Sequence, residues 1–309
     1  MNDFSVTEAL EYSKKGLLED WIHEFLTSGG KNEGLSIGLK KKKRFFVGPI
    51  RIDLAKLTRI CGPEKNMKYH ESEERWERKI KIILSGLKMG WKMPPLIVRY
   101  KKRKLSIADG NHRYEALKKR RFKKYWAIIW YDSIKELLRH KKMKPAVFFI
   151  TGTSGSGKST LVDYLKKELY FAEVHDFDEG GVPKGADENW RKRRTNEWLE
   201  RAKSYQKKGK STVICGVSVP HEIKDSPYYS KSLRVHYGII HVGKAEIRRR
   251  LLARGWTGKE LVDDNVNWAM HLERYVKAEK EHQIVDGEAN KPNQVAEKFI
   301  DWIIRKTIN

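Results

Sequence analysis

The run Gly152-Thr153-Ser154-Gly155-Ser156-Gly157-Lys158-Ser159 constrains the fold of this chain more than any other feature of its sequence. It fits the pattern G-x-x-x-x-G-K-[ST] and lies between an apolar segment that predicts a strand, residues 146–151, and a segment that predicts a helix, residues 159–169. In that setting the glycines let the backbone curl, so that successive amide hydrogens converge on phosphate oxygens. The sequence therefore predicts that this loop binds ATP or GTP.

Residues of this loop have separate predicted roles. Lys158 would place a positive charge near the β and γ phosphates, and Ser159 would offer its hydroxyl to a magnesium ion as the candidate metal ligand. The residues predicted to contact the nucleotide are Gly152, Ser154, Gly155, Ser156, Gly157, Lys158, Ser159 and Thr160. Mg²⁺ is therefore expected alongside the nucleotide.

The chain after residue 145 alternates predicted strands and helices, which favours an α/β fold with a parallel sheet and crossover helices. The predicted strands are residues 146–151, 171–175, 211–217, 235–242 and 284–285. The predicted helices are residues 159–169, 190–206, 246–254, 266–281 and 294–305.

Two carboxylates, Asp176 and Asp178, follow the second of these strands. Open α/β sheets bind ligands at the carboxyl ends of their strands, so both acids are candidate catalytic residues. One would accept a proton from an attacking hydroxyl or orient it, and the other would hold magnesium through water. The sequence does not rank them, and an acidic turn without a catalytic role is the alternative. The third strand ends in Cys215-Gly216 where a switch ATPase usually has a magnesium-binding Asp, which favours a small kinase.

With these motifs, residues 146–309 resemble P-loop kinases of the nucleotide, gluconate and polynucleotide kinase group. The resemblance implies ATP and Mg²⁺ as cofactors and an arginine-bearing lid that closes over the transferring phosphoryl group. The matching stretch here is residues 246–255, in which Arg250 and Arg254 share a helix face at i, i+4. Lys158, Asp176, Asp178, Arg250 and Arg254 are thus the candidate catalytic residues. An exposed basic helix is the alternative for either arginine.

The helix after the acidic turn carries Trp190, Arg191, Arg194, Thr195, Trp198 and Leu199 at helical spacing. In the resembled kinases this region forms the acceptor pocket. A helix that packs tryptophan into the core and leaves arginine in solvent has the same pattern. The acceptor therefore stays open.

The chain before residue 139 predicts a mixed α and β domain, with a helix at residues 71–89 and strands at residues 96–100, 105–108 and 125–131. Residues 139–145 are basic, contain Pro145 and predict a linker. The expected domains are residues 1–44, a helical and basic segment; residues 45–140; and the kinase-like domain, residues 146–309.

Asp109-Gly110-Asn111-His112-Arg113 follows a predicted strand and opens a helix, an arrangement that favours either a phosphate clamp or a simple helix cap. Together with residues 50–53 and 95–98, the motif resembles the ParB amino-terminal and sulfiredoxin fold over residues 45–135. The resemblance implies a second nucleotide or phosphate site at Asp109, Gly110, Asn111, His112 and Arg113. Asn111 stands where sulfiredoxin has its catalytic cysteine, so sulfinic acid reduction is not expected.

Positive charge is concentrated at the amino-terminal end. Residues 1–144 hold 36 Lys and Arg against 17 Asp and Glu, and so carry +19 of the net charge of +25. Such a surface attracts phosphate-bearing partners, DNA or RNA above all, whereas indiscriminate lysine usage is the alternative. No apolar run reaches the roughly 18 residues of a membrane span, so no membrane partner and a cytoplasmic location are expected. Cys61 and Cys215 have no metal-ligand spacing and are expected to be reduced core residues.

The sequence thus predicts an ATP-dependent kinase that transfers the γ-phosphoryl group to a hydroxyl acceptor, either a nucleotide or nucleic-acid hydroxyl or a small metabolite. The alternative is a nucleic-acid-binding regulatory protein that nucleotide switches and that hydrolyses nucleotide slowly. The missing magnesium-binding Asp on the third strand counts against that alternative, as does the lack of a recognition-helix motif.

Overall fold

Two five-stranded sheets organise residues 3–308, which are the part of the chain that the computed structural model describes. The chain divides into two units, Met1–Lys142 and Met143–Asn309. Residues 1, 2 and 309, at the outer ends of the expected domains, lie outside the described residues.

The first unit combines helices and short strands. Its helices are α1 (Val6–Lys15), α2 (Leu18–Thr27), α3 (Glu33–Lys40), α4 (Glu73–Lys88), α5 (Asn111–Lys119) and α6 (Ile134–His140). Its strands are β1 (Phe45–Asp53), β2 (Leu57–Arg59), β3 (Cys61–Gly62), β4 (Tyr69–His70), β5 (Leu96–Lys101), β6 (Lys104–Asp109) and β7 (Lys124–Tyr131).

The five-stranded sheet of this unit is mixed, with the order β1-β7-β5-β6-β2. β1 pairs antiparallel and β5 parallel with β7, and β6 pairs antiparallel with β5 and parallel with β2. Trp21, Ile22 and Phe25 of α2 are buried against Ile128 and Trp130 of β7. Burial of these aromatic and aliphatic side chains makes residues 3–44 part of the first unit's core rather than a separate segment.

The second unit alternates strand and helix. Its strands are β8 (Val147–Thr151), β9 (Ala172–Asp176), β10 (Ser211–Cys215), β11 (Val235–His241) and β12 (His282–Asp286). Its helices are α7 (Lys158–Glu168), α8 (Glu188–Lys207), α9 (Pro220–Lys224), α10 (Lys244–Ala253), α11 (Lys259–Lys277) and α12 (Pro292–Ile308).

All four pairings in the second sheet are parallel, with the order β12-β11-β8-β10-β9. The predicted parallel sheet with crossover helices is therefore confirmed. Every residue of β8 and β10 is buried, as expected for central strands covered by helices on both faces. Because the strands run in one direction, the residues that follow β8, β9 and β10 meet at one edge of the sheet. That edge carries residues 152–159, the predicted phosphate loop, and the two aspartates Asp176 and Asp178.

Several predicted boundaries were wrong. Helix α11 begins at Lys259, seven residues before the predicted start, because its buried stripe already includes Val262. The predicted linker overlaps α6, a short helix that residues 134–140 form by burying Ile134 and Leu137. Cys215 is buried as expected, but Cys61 is only half-buried.

Candidate functional site

The loop between β8 and α7 is curled by its own hydrogen bonds. The carbonyl oxygen of Thr153 accepts from the amide of Ser156 at 3.2 Å and from its hydroxyl at 2.9 Å. The same oxygen accepts from the Lys158 Nζ at 2.7 Å. Gly155 and Gly157 have φ angles of 84° and 100°, a left-handed conformation that side-chain-bearing residues rarely adopt. The loop therefore holds its curled shape through contacts within itself.

The amino terminus of α7 is open to an anion. Its N-cap is Gly157, which has no side chain to accept a hydrogen bond from the first amides of the helix. Those amides carry the positive end of the helix dipole, and Lys158 adds a full charge beside them. Ser159 and Thr160, at the start of the helix, are exposed. The first amides of α7 and Lys158 thus lie together at the position of the loop that the sequence predicts to bind phosphate.

Lys158 lies near both aspartates at the edge of the sheet. The pKa of its ammonium is lowered from 10.5 to about 8, because burial outweighs the charges of Asp178 and Asp176, which act to raise it. A lysine with this pKa is partly neutral just above neutral pH. A bound phosphate would stabilise the ammonium and raise its pKa again.

We therefore expect nucleotide binding to take up a proton near pH 8. At that pH about half of the free protein has a neutral Lys158, so binding should take up about half a proton and weaken as the pH rises further. Calorimetry in two buffers of different ionisation enthalpy measures this uptake. Lys158→Arg is the matched control, since a guanidinium stays charged at this pH. An equal uptake by both proteins would contradict the assignment to Lys158.

The two aspartates differ in their surroundings. Asp176 ends β9, and its Oδ1 accepts from the Asp178 amide at 2.9 Å. Burial raises the pKa of Asp178, and the charge of Asp176 raises it further, whereas Lys158 and Arg194 oppose both effects. Asp178 is thus a half-buried carboxyl with an increased proton affinity, and Asp176 orients the turn that carries it.

Phe177, between the aspartates, anchors this turn in the core. Its amide donates to the carbonyl of Cys215 at 2.8 Å, and its side chain is fully buried. Any side chain on Gly216 would collide with Phe177. Gly216 is therefore required for this close approach, a role that sequence reasoning missed, although a glycine directly after a buried strand is a usable signal.

Arg194 of α8 holds the turn from the other side. Its Nε donates to the Phe177 carbonyl at 3.0 Å, and its Nη2 donates to the Glu179 carbonyl. The guanidinium also stacks 4.9 Å from the ring centroid of Trp198, whose Nε1 donates to the Phe177 carbonyl at 3.1 Å. Asp178 thus lies between Phe177 and Glu179, and the planar guanidinium of Arg194 holds the carbonyls of both neighbours in place.

We expect Arg194→Gln to lower kcat by up to about 10²-fold, because small misplacements of a reacting group have effects of that size. The loss of positive charge should also raise the pKa of Asp178. The decrease of activity toward low pH should therefore begin at a higher pH than in the wild type. Arg194→Lys should restore the pH profile but only part of kcat. Steady-state kinetics against pH measures both effects.

Arg201 offers a matched control for this prediction. It stacks 4.8 Å from the same Trp198 ring. No hydrogen bond of its side chain to the turn is found among residues 3–308. Arg201→Gln should therefore leave the low-pH side of the activity profile unchanged. If Arg194→Gln has the same profile as Arg201→Gln, Arg194 does not position Asp178.

Arg250 of α10 and Arg254 at its C-cap have different partners. Arg250 binds Glu246 at 2.6 Å, and it donates to the carbonyls of Gly155 at 3.2 Å and Gly287 at 3.0 Å. Arg254 is exposed at the end of α10, and no ion pair involves it among the described residues. Arg250 therefore fastens the phosphate loop to a neighbouring segment, while Arg254 is left available to a ligand.

A cavity of about 470 Å³ lies between the phosphate loop, α10 and the turn at residues 287–292. Its wall includes Thr160, Leu161, Ile240 and Val295, together with Arg250 and Arg254. Asp286 orders the turn, since its Oδ1 accepts from the amides of Glu288 at 2.7 Å and Ala289 at 2.8 Å. Sequence reasoning missed this turn, although the polar run after the last strand could have indicated it. The cavity continues the phosphate loop with a partly apolar compartment.

The aromatic stripe of α8 is mostly core. Trp198, Thr195 and Leu199 are fully buried. Arg191 donates two hydrogen bonds, at 2.8 and 2.6 Å, to the buried carboxylate of Glu222. The packing alternative therefore accounts for these residues, and Trp190 remains partly exposed.

The motif at residues 109–113 makes contacts within the first unit. Arg113 is buried, donates to the carbonyls of Pro94 at 2.8 Å and Pro95 at 2.9 Å, and forms an ion pair with Asp109. The Asn111 Oδ1 accepts from the Ile60 amide at 3.0 Å. His112 contacts Glu71 at 2.6 Å; burial lowers its pKa, and Glu71 opposes that shift. Gly110 has a φ of 95° and caps α5. The structure brings these residues together, with Asn111 and Arg113 fully engaged in holding the fold.

Two features are absent from residues 3–308. No group of three or more His, Cys, Asp or Glu there could hold a metal ion. Within the same residues, no helix is long and apolar enough to span a membrane.

Comparison with known proteins gives one family match. Residues 149–267 match the family described as AAA domain. None of the curated proteins compared matches the chain.

Several solved structures are similar to parts of the chain. A sugar kinase from a Janibacter species has a TM-score of 0.41 and 16% identity, covering 52% of this chain and 94% of its own. A gluconokinase from Sinorhizobium meliloti has a TM-score of 0.41 and 14% identity, covering 54% of this chain and 95% of its own. A sulfiredoxin from Arabidopsis thaliana has a TM-score of 0.22 and 23% identity, covering 29% of this chain and 92% of its own.

Proposed function

We propose that the second unit is an ATP- and Mg²⁺-dependent kinase that transfers the γ-phosphoryl group to a hydroxyl acceptor. The observation that carries this proposal is the meeting of Lys158 and Asp178 at one sheet edge. The curled loop beside them is suited to a triphosphate, and the family match over residues 149–267 is consistent with a P-loop domain. A cation for the phosphate and a carboxyl that can accept a proton both favour phosphoryl transfer to a hydroxyl.

The residues of the loop fit a nucleotide. The first amides of α7 and the amides of residues 152–157 would hold the β-phosphate, and Lys158 would turn from the Thr153 carbonyl to the β and γ phosphates. Ser159 would bind the magnesium ion, which keeps most of its ligands as phosphate oxygens and water and so needs no cluster of acids. The 470 Å³ cavity would receive the nucleoside.

The two aspartates at the edge of the sheet suit a hydroxyl acceptor. Asp178 would accept the proton of the acceptor hydroxyl as its oxygen bonds to the γ-phosphorus and the bond to the β-phosphate oxygen breaks. Asp176 would orient Asp178 and water on the magnesium ion. Arg254 would close on the transferring group, while Arg250 keeps the loop in place. Positioning and electrostatic stabilisation would supply most of the rate enhancement.

The proposal also covers the class of the acceptor and the role of the first unit. The charge of +19 on residues 1–144 favours a hydroxyl of a nucleic acid or nucleotide over a small metabolite. We propose a ParB- or sulfiredoxin-like fold for residues 45–140 with a phosphate-binding role. DNA or RNA binding should then weaken steeply as salt is raised.

Labelled ATP tests the activity directly. The protein is incubated with Mg²⁺, ATP labelled at the γ-phosphate and separate pools of metabolites, nucleotides and oligonucleotides. Label in an acceptor supports a kinase, and the pool identifies its class. Release of free phosphate alone, with no labelled acceptor in any pool, would contradict the kinase and favour the nucleotide-switched regulator.

A further inference from the structure

Two turns of the first unit carry large aromatic rings that face solvent. Trp91 follows α4 and is 43% exposed, and Phe122 follows α5 and is 46% exposed. Among residues 3–308, no other tryptophan and no other phenylalanine is as exposed. Neither ring is therefore part of the core of this unit.

The two helices end in the same way. The amide of each aromatic residue donates to the carbonyl five residues earlier, at 2.9 Å for Trp91 and at 3.0 Å for Phe122. The residue before each ring is left-handed, Gly90 with a φ of 83° and Arg121 with a φ of 59°. This cap commonly brings an apolar side chain back against its own helix. It accounts for the backbone of both turns, but both rings remain exposed to solvent.

The two turns lie side by side at one edge of the mixed sheet. β5 and β7 are adjacent parallel strands, in which Leu96 pairs with Ala127. Just before these strands, the Tyr125 hydroxyl donates to the Met93 carbonyl at 2.7 Å. The chain therefore enters both strands at the same level, and neighbouring strands are about 4.8 Å apart. The turns that carry the two rings are thus neighbours on one surface.

Positive charge surrounds the rings. We call residues 88–92 and 120–124 the basic edge, which contains no Asp or Glu. Its six cations are all exposed, and they are Lys88, Lys92, Arg120, Arg121, Lys123 and Lys124. Asp3 and Asp53 lie near single lysines of this set and offset part of its charge. A surface with such an excess of cations attracts phosphate groups.

We propose that the basic edge binds a single strand of nucleic acid, whose bases stack on Trp91 and Phe122 while the flanking cations contact its phosphates. Aromatic rings beside cations bind single strands without reading their sequence. A duplex hides the faces of its bases and would gain little from the rings. A lipid surface calls for an uninterrupted apolar face, whereas Phe122 stands directly between Arg121 and Lys123.

This inference rests on the part of the proposed function that gives nucleic acid as a partner of the first unit, and it adds the surface and the kind of strand. Strand binding is measured without ATP and Mg²⁺. Its outcome is therefore independent of phosphoryl transfer, and either proposal can fail while the other holds.

Fluorescence anisotropy with the full chain tests the rings, using labelled DNA and RNA strands of about 20 nucleotides. Trp91→Ala with Phe122→Ala should weaken strand binding about tenfold or more, because each stacked base contributes to the affinity. Trp91→Phe with Phe122→Tyr keeps both rings and should keep most of the affinity. The control is Tyr69→Ala, which removes an exposed ring outside the basic edge and should bind as the wild type does.

The salt dependence of strand binding tests the cations. Arg121→Gln with Lys123→Gln should lower the slope of log affinity against log salt by about 1.4, since each lost phosphate contact lowers it by about 0.7. The matched control is Lys102→Gln with Arg103→Gln, two exposed cations in the turn between β5 and β6, at the opposite end of β5. It should leave the slope unchanged.

Several results would overturn the proposal. They are wild-type affinity in the double alanine variant, an equal loss in Tyr69→Ala, and a duplex that binds as tightly as the strand. Binding to phosphatidylserine vesicles without binding to either strand would instead identify a lipid surface. Should the double alanine variant melt at a lower temperature, the exposed pair Arg121→Gln with Lys123→Gln decides, and an unchanged salt slope there would overturn the proposal.

Discussion

Lys158→Ala is expected to lower kcat by about 10²–10³-fold, the range found when one preorganised electrostatic donor is removed. The variant loses the charge that would follow the γ-phosphoryl group and keeps the amides of the loop. Weakened nucleotide binding should therefore accompany the loss of turnover. The measurement is transfer from γ-labelled ATP to whichever acceptor the pools identify, combined with binding of the nucleotide.

The fold should tolerate this change. The Thr153 carbonyl keeps both of its bonds from Ser156 when the Lys158 Nζ is removed. The matched control is Lys167→Ala, an exposed lysine of the same helix that should retain full activity. Wild-type turnover in Lys158→Ala, with unchanged thermal melting of all three proteins, would rule out the proposed role of the loop.

Asp178→Asn combined with Asp176→Asn should abolish turnover while sparing nucleotide binding. Neither amide can accept the acceptor's proton, and a neutral amide oxygen holds water on a magnesium ion more weakly than a carboxylate does. General-base catalysis alone contributes about 10²–10⁴-fold. Asp178→Asn alone should account for most of the loss, because its raised pKa and its position near Lys158 suit proton transfer. Steady-state kinetics and calorimetry on the same preparations give both quantities.

The control for the aspartates is Asp163→Asn, an exposed carboxylate on α7 that lies outside the proposed site. It makes the same change in charge and should leave kcat as it is. A larger loss from Asp176→Asn than from Asp178→Asn would reverse the two roles. Full turnover in the double variant would remove both residues from the mechanism.

Local sequence signals were sufficient for much of the second unit. The glycine pattern, the apolar runs of β8 and β10 and the lysine at the start of α7 all act through their immediate neighbours in the chain. For that reason the parallel sheet and the place of the phosphate loop could be predicted. The early start of α11 could not, because Lys259, Glu260, Asp263 and Asp264 surround Val262 and conceal the buried stripe.

Contacts between distant segments decided what the sequence could not. Nothing near Asp176 and Asp178 in the chain ranks them, since the difference comes from Lys158 and Arg194 and from burial. Likewise, Arg250 and Arg254 are equivalent at i, i+4 spacing, yet only Arg250 reaches the carbonyls of Gly155 and Gly287. Such roles depend on which backbone groups another segment presents.

The motif at residues 109–113 shows that donors predicted from a pattern can also have partners within the fold. Arg113 has the chemistry of a phosphate ligand, but two carbonyls and Asp109 take up its guanidinium. A buried arginine left without those partners would be strongly unfavourable, so the fold itself accounts for this residue.

Calorimetric titration of the full chain with ATP and GTP in the presence of Mg²⁺ tests the central claim most directly. We predict saturable binding of one or both nucleotides, weakened in Lys158→Ala and retained in the double aspartate variant. The absence of heat with either nucleotide, from folded protein at several temperatures, would contradict a nucleotide site at residues 152–160 and the kinase proposed from it.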